Sequence, residues 1–118
     1  MGDLSQNFSR YEFRCKCGQC DCGTADVELV KVLEQLRAQF GHRKIAITSG
    51  HRCAEYNEKV DGWPTSQHLL GRAADIVMDG VEPSYVYEYL DKKYPRNYGI
   101  GKYDDFTHID TRQEYARW

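Results

Sequence analysis

Apolar residues recur close to helical spacing in two segments of the chain. The first segment carries them at Val27, Val30, Leu33, Leu36, Ala38 and Phe40. Asp26 can cap this segment and Gly41 follows its last apolar residue, so the pattern predicts a helix here. The second segment carries them at Val86, Tyr87, Leu90 and Tyr94. Pro83 suits the first turn of a helix and Pro95 ends one, which predicts a second helix between them.

Short apolar or alternating runs predict strands in four other segments. These segments are residues 44–48, 73–78, 98–103 and 106–111. Residues 44–48 alternate, with the large apolar side chains at Ile45 and Ile47, and Ser49-Gly50 stops the run. A further short helix is predicted over residues 54–60. This order of elements predicts an α+β domain in which helices pack on a small, largely antiparallel sheet.

A length of 118 residues suits one compact domain with one core. The first 25 residues are polar and rich in turn formers, and four of the five cysteines lie among them. Phe8, Tyr11 and Phe13 are the side chains expected to anchor this segment. We therefore expect a single domain over residues 1–118, with the Cys-rich segment 1–25 packed on it.

The charge balance argues against several classes of partner. With a net charge of −2 and a pI near 6.1, the chain lacks the basic surface that nucleic acids require. No apolar run approaches the roughly 20 residues of a membrane span. The N-terminus lacks a basic region followed by an apolar one, so no signal peptide is expected. We expect a monomer that is synthesised in the cytoplasm and binds neither nucleic acid nor membranes.

Asp75 ends the segment SQHLLGRAAD at the edge of a core strand, where an ionised carboxylate needs a positive partner. His108 and Asp110 share one face of another predicted strand. If these strands are neighbours, His68, Asp75 and His108 converge, and two imidazoles with one carboxylate hold a catalytic zinc. In the alternative interpretation His68 ends a helix and Asp75 pairs with Arg72 or a backbone amide.

Three segments together resemble one family. SQHLLGRAADI matches the Ser-x-His-x-x-Gly-x-Ala-x-Asp signature of zinc D-Ala-D-Ala carboxypeptidases and murein endopeptidases, which include phage endolysins. DFTHID resembles the second motif of that family, and SGHR resembles its upstream Ser-Gly-Tyr-Arg segment. The same zinc site recurs in vancomycin-resistance dipeptidases and the hedgehog signalling domain. The resemblance covers residues 7–118 and implies that fold and zinc site.

The resemblance also implies roles for single residues. It implies one catalytic zinc held by His68, Asp75 and His108. It makes Asp105 the general base, although most of the family has Glu there, and a turn aspartate is the alternative. Arg52 would bind the scissile carbonyl or a substrate carboxylate, unless it is a solvated surface arginine. Ser66 would brace the loop or bind substrate.

The cysteines are unusually dense for a cytoplasmic product, which favours metal binding over simple disulfides. They are Cys15, Cys17, Cys20, Cys22 and Cys53. Their spacing departs from paired Cys-x-x-Cys ribbons. Phage-type relatives carry similar segments and a cysteine after the arginine, which implies that Cys53 contacts the N-terminal loop. Both a structural zinc and disulfides remain open at this point.

The predicted function is a zinc metallopeptidase that hydrolyses peptide bonds of bacterial peptidoglycan, as a phage-type lysin. D,D-carboxypeptidase action and endopeptidase action on the stem peptide or cross-link are both compatible with the motifs. The protein would reach the wall after release or as part of a larger particle. The alternative is a non-catalytic zinc-binding interaction domain of the same fold, as in hedgehog signalling domains.

Overall fold

The computed structural model describes residues 2–20, 23, 25–60, 62–63 and 66–118. This part of the chain contains three α-helices, five strands and two 3-10 helices. The helices are α1 (Val27–Gln39), α2 (Ala54–Lys59) and α3 (Pro83–Lys93), and the 3-10 helices are Arg10–Phe13 and Gln67–Leu70. The strands are β1 (Ile45–Ser49), β2 (Ala73–Met78), β3 (Gly99–Lys102), β4 (Thr107–Asp110) and β5 (Ala116–Arg117).

The five strands form one sheet in the order β1-β2-β4-β3-β5. The pairings among the first four strands are antiparallel, and β5 lies parallel to β3. The α+β class and the largely antiparallel sheet are therefore confirmed, with the sheet mixed through β5. That two-residue strand was not predicted, because no hydrophobic period can be detected over two positions.

Helix α1 begins and ends where the pattern predicts, and Val30, Leu33 and Leu36 are buried as predicted, but the prediction for Val27 is wrong. Asp26 occupies the N-cap position, but its side chain makes no hydrogen bond to the first turn of the helix. Its carboxylate instead accepts a hydrogen bond from Thr111 Oγ1 (3.1 Å). Gly41 follows the helix with a φ of +76°, which favours glycine. Val27 is 68% exposed and Leu29 is fully buried. The buried stripe follows the 3.6-residue period and consists of Leu29, Val30, Val32, Leu33 and Leu36.

The core lies between the helices and one face of the sheet. Helix α3 contributes Val86 and Leu90, as predicted. The sheet contributes the buried residues Ile45, Ile47, Ala74, Ile76, Met78, Ile100 and Ile109. Because side chains alternate along a strand, the residues between these core positions face the other side of the sheet. No helix among the described residues is both long and apolar enough to cross a membrane.

The N-terminal segment packs on α1 through one carboxylate. Glu34 accepts hydrogen bonds from the backbone N–H and the side-chain amide of Asn7 (2.8 and 2.7 Å) and from Ser5 Oγ (2.5 Å). Burial acts to raise the pKa of Glu34, but these hydrogen bonds outweigh burial and lower that pKa. Phe8 and Phe13 are buried as predicted, whereas the prediction for Tyr11 is wrong, since it is 74% exposed.

Candidate metal centre

Three predicted ligand residues converge on the face of the sheet opposite the core. Strands β2 and β4 pair with Asp75 directly opposite His108, and the 3-10 helix Gln67–Leu70 brings His68 beside them. Asp75 Oδ1 lies 2.9 Å from His108 Nδ1 and 3.4 Å from His68 Nε2. All three residues are buried, and their potential ligand atoms lie within 4.8 Å of one another, so they form one compact metal-ligating cluster.

The turn that carries His68 explains the Ser-x-His-x-x-Gly spacing. Ser66 is the N-cap residue of the 3-10 helix, and its Oγ accepts a hydrogen bond from the backbone N–H of His68 (3.1 Å). Gly71 ends the turn with a φ of +71°, in the left-handed region. His68 Nδ1 lies 2.7 Å from the carbonyl oxygen of Gly50, to which it can only donate. That bond leaves Nε2 with its lone pair directed at the cluster.

His108 is oriented by a second carboxylate. Its Nε2 lies 2.7 Å from Asp110 Oδ2, so donation there leaves Nδ1 as the ligand atom facing Asp75. Asp110 is fully buried and accepts two parallel hydrogen bonds from Arg112, each of 2.8 Å. Gly99 in β3 makes room for this pair, because a Cβ there would overlap the carboxylate of Asp110. Asp110 therefore both orients the imidazole and pairs with Arg112.

The electrostatics of the cluster favour a charged carboxylate. Burial acts to raise the pKa of Asp75, but His108 and His68 outweigh burial and hold that pKa well below its usual range. Burial likewise acts to raise the pKa of Asp110, but His108 and Arg112 lower it to about 2. Arg52 approaches Asp75 Oδ2 at 3.5 Å, so Arg52 takes the place that the alternative interpretation gave to Arg72.

The donor set and its spacing fit zinc. Tetrahedral zinc holds imidazole nitrogen and carboxylate oxygen at about 2.0–2.2 Å, which places neighbouring ligand atoms about 3.3 Å apart. The two distances from Asp75 Oδ1, 2.9 and 3.4 Å, lie on either side of this value. Each imidazole donates its other N–H to a fixed oxygen, as in metal sites generally. Three protein ligands leave a fourth position open, which is the arrangement of a catalytic site.

The cluster lies in a cavity of about 660 Å³. One wall is aromatic: Tyr103 and Phe106 stack with ring centres 4.3 Å apart, and Trp118 Nε1 donates to Tyr103 Oη (2.8 Å). The Trp118 ring lies 5.0 Å from the His108 ring. Gly101 makes room for the indole, because a Cβ there would lie 2.5 Å from Trp118 Nε1. This wall was not predicted, although a glycine within a strand often marks such a close approach.

The family comparison agrees with this geometry. A profile of the peptidase M15 family matches residues 6–110, which is most of the chain. The chain belongs to the peptidase M15 family. No curated protein sequence matches it. Membership in this zinc-dependent family supports a metallopeptidase, with His68, Asp75 and His108 as the candidate zinc site. The matched range ends at Asp110, so Trp118 lies beyond it.

Of the other site residues predicted for this M15 protein, two line the cavity and one does not. Arg52 and Ser66 line it, and the Arg52 guanidinium donates to Ser49 Oγ and Asn57 Oδ1 at 3.2 Å each. Asp105 is exposed on the turn between β3 and β4 and is not one of the residues that line the cavity. Its role as general base stays a prediction.

Four of the five cysteines form a second cluster. The sulfur atoms of Cys15, Cys17, Cys20 and Cys53 all lie within 4.8 Å of one another, and these four residues are not disulfide-bonded. Cys22 lies outside the described residues. The backbone N–H of Gln19 donates to Cys17 Sγ (3.3 Å), and this hydrogen bond, with one from Cys20, lowers the pKa of Cys17 to about 7. The predicted contact between the N-terminal loop and Cys53 is therefore present.

Proposed function

We propose that this protein is a zinc metallopeptidase that hydrolyses peptide bonds of bacterial peptidoglycan, as a phage-type lysin. The observation that carries the proposal is the convergence of His68 Nε2, Asp75 Oδ1 and His108 Nδ1 within one cavity of an M15 chain. In each imidazole, the ring nitrogen that is not offered to the cluster lies 2.7 Å from a fixed oxygen that can accept its proton, Gly50 O for His68 and Asp110 Oδ2 for His108. The choice of peptidoglycan follows from the three motifs shared with murein peptidases.

In this proposal the three ligands hold one zinc ion, which supplies a Lewis acid for the scissile carbonyl and lowers the pKa of the attacking water. Arg52 binds the oxyanion that forms as the carbonyl is attacked, because its guanidinium is held at the cavity wall by Ser49 and Asn57. Asp105 takes the proton from the attacking water and returns it to the leaving amine. The turn that carries Asp105 borders the cavity through Phe106.

The cavity also supports an anionic peptide substrate. Arg52 and Arg112 both line the cavity, and their guanidinium groups place positive charge in its wall. Trp63, at the rim, is 81% exposed and offers a flat apolar surface. Stem peptides of peptidoglycan carry free carboxylates and short side chains, which suit guanidinium groups beside aromatic rings.

A second candidate function is zinc-dependent peptide binding without hydrolysis. The observation that favours it is the exposed position of Asp105, outside the residues that line the cavity. Without a positioned base, the zinc site and Arg52 would bind a peptide through its carboxylate, and the peptide bond would not be hydrolysed. The two candidates differ in whether new termini appear in the substrate.

The test is mass spectrometry of muropeptides digested with zinc-loaded protein, with and without a chelator. The proposal expects products whose masses add up to the substrate mass plus one water. These are a released terminal residue with the shortened peptide for carboxypeptidase action, and two peptide fragments for endopeptidase action. Asp105→Asn should reduce the rate by about 10²–10⁴-fold while keeping the fold and the zinc. Asp104→Asn on the same exposed turn is the matched control and should keep activity. Folded, zinc-loaded protein that binds muropeptides but releases no product would favour the second candidate.

A further inference from the structure

The cysteine cluster joins two segments that are distant in the chain. Cys15, Cys17 and Cys20 belong to the N-terminal segment, whereas Cys53 is the N-cap residue of α2. The four sulfur atoms lie within 4.8 Å of one another, although Cys15 and Cys53 are 38 positions apart in the chain. We propose that these four cysteines bind a second zinc ion in a tetrahedral tetrathiolate site.

The sulfur spacing matches a metal site better than disulfides. Zinc–sulfur bonds of about 2.3 Å place the sulfur atoms of a tetrahedral site about 3.8 Å apart. Cys15 Sγ lies 3.7 Å from Cys53 Sγ, and Cys17 Sγ lies 3.3 Å from Cys20 Sγ. A disulfide would bring either pair to about 2.0 Å. Four thiolates in a tetrahedral arrangement select zinc over hard cations such as magnesium or calcium.

Backbone N–H groups surround the sulfur atoms as they do in thiolate metal sites. Gln19 donates to Cys17 Sγ (3.3 Å), Cys53 donates to Cys15 Sγ (3.4 Å), and the N–H of Tyr56 donates to Cys53 Sγ (3.4 Å). Such bonds stabilise negative sulfur. Gly18, with a φ of +78°, lets the chain reverse between Cys17 and Cys20.

Zinc binding at this cluster replaces the protons of the thiols by the metal ion. Each thiol that is protonated releases its proton to water as its zinc–sulfur bond forms, and no electron is transferred. The four thiolates and the ion carry a net charge of −2, and the cationic residues Arg14 and Lys16 flank Cys15 in the sequence. No oxidant is required, in contrast to disulfide formation.

The consequence is a clamp between the N-terminal segment and the segment that carries Arg52. The backbone N–H of His51 already donates to the carbonyl oxygen of Phe13 (2.8 Å), and Cys53 follows Arg52 directly. Because the site is assembled only in the folded chain, its binding free energy adds to folding stability. The clamp is structural and leaves the chemistry to the His68 centre.

The experiment is cobalt substitution of the full chain, purified under reducing conditions and read by absorption spectroscopy and elemental analysis. Wild-type protein should bind two Co²⁺ ions and show the intense near-ultraviolet sulfur-to-cobalt charge-transfer band of a thiolate site. His68→Ala should lose one ion and keep that band. Cys53→Ser should lose the band and keep the ion at the His68 centre. Cys22→Ser is the matched control and should keep both ions, because four thiolates complete a tetrahedron.

Two results would overturn the inference without any variant having to fold. One is wild-type protein with reduced thiols that binds Co²⁺ without the thiolate band. The other is an intact mass four hydrogen atoms lighter than the reduced chain in protein isolated with its metal, which indicates two disulfides. Neither result touches the proposed function, since muropeptide hydrolysis depends on the His68 centre and is measured separately.

Discussion

Replacing Asp110 by Asn removes the charge that orients His108 while keeping the shape of the side chain. Asp110 Oδ2 lies 2.7 Å from His108 Nε2, and the same carboxylate accepts from Arg112 and from the backbone N–H of Gly99 (3.1 Å). An amide in this place can satisfy only part of these donors. His108 then loses the partner that fixes its tautomer, and Nδ1 is no longer held as the ligand atom.

The expected loss of zinc affinity follows from what a carboxylate partner contributes to a ligating histidine. Loss of a carboxylate partner behind a ligating histidine typically weakens metal affinity by about 10–100-fold, or about 1.4–2.8 kcal/mol. Asp110 is fully buried, so solvent does not replace the lost interaction. We expect the upper half of this range, because the carboxylate is itself held by two hydrogen bonds of 2.8 Å from Arg112.

The assay is competition for zinc against a chromophoric chelator at fixed pH, with every protein carrying Cys53→Ser so that only the His68 centre is titrated. Circular dichroism establishes that each variant is folded. Asp91→Asn is the matched control, since Asp91 also pairs with an arginine (2.7 Å to Arg117 Nε) but lies away from the cavity. Asp110→Asn should weaken zinc binding and Asp91→Asn should not. Equal zinc affinity in wild-type protein and folded Asp110→Asn would refute the role given to Asp110.

Three further predictions concern the turn, the N-terminal segment and the aromatic wall. Asp105→Glu should keep partial activity in a steady-state kinetic assay, because the exposed turn can accommodate a longer arm, and complete inactivity in zinc-loaded protein would contradict this. The lowered pKa of Glu34 adds stability above the ordinary Glu pKa of about 4.3, and this stability is lost as the pH falls through the lowered value. Thermal unfolding of wild-type protein should therefore be more acid-sensitive than that of Glu34→Gln, and equal pH profiles would contradict it. Gly101→Ala should displace Trp118, measured as a change in tryptophan fluorescence, and an unchanged spectrum would argue against the contact.

Much of the metal centre could be predicted because its residues obey local rules. Side chains alternate along a strand, so His108 and Asp110 could be assigned to one face of β4 without knowing the fold. The pairing of β2 with β4 then sets Asp75 opposite His108. The spacing around His68 carries similar information, because Ser66 caps the turn and Gly71 ends it.

Other features could not be predicted because they depend on contacts between distant segments. The spacing placed Val27 on the apolar face of α1, whereas tertiary packing buries Leu29 and leaves Val27 exposed. Strand β5 exists only through its pairing with β3, and that pairing brings Trp118 onto His108. The geometry of the sulfur atoms around Cys53 likewise depends on a contact across 38 positions of the chain.

The most direct test of the account is anomalous scattering at the zinc absorption edge from crystals of the zinc-loaded protein. The account predicts a peak about 2.0–2.2 Å from His68 Nε2, a carboxylate oxygen of Asp75 and His108 Nδ1. Ligation of His108 through Nδ1 is the decisive detail, because Nε2 is hydrogen-bonded to Asp110 Oδ2. A zinc-replete crystal without a peak among these three residues, or with zinc on His108 Nε2, would contradict the account.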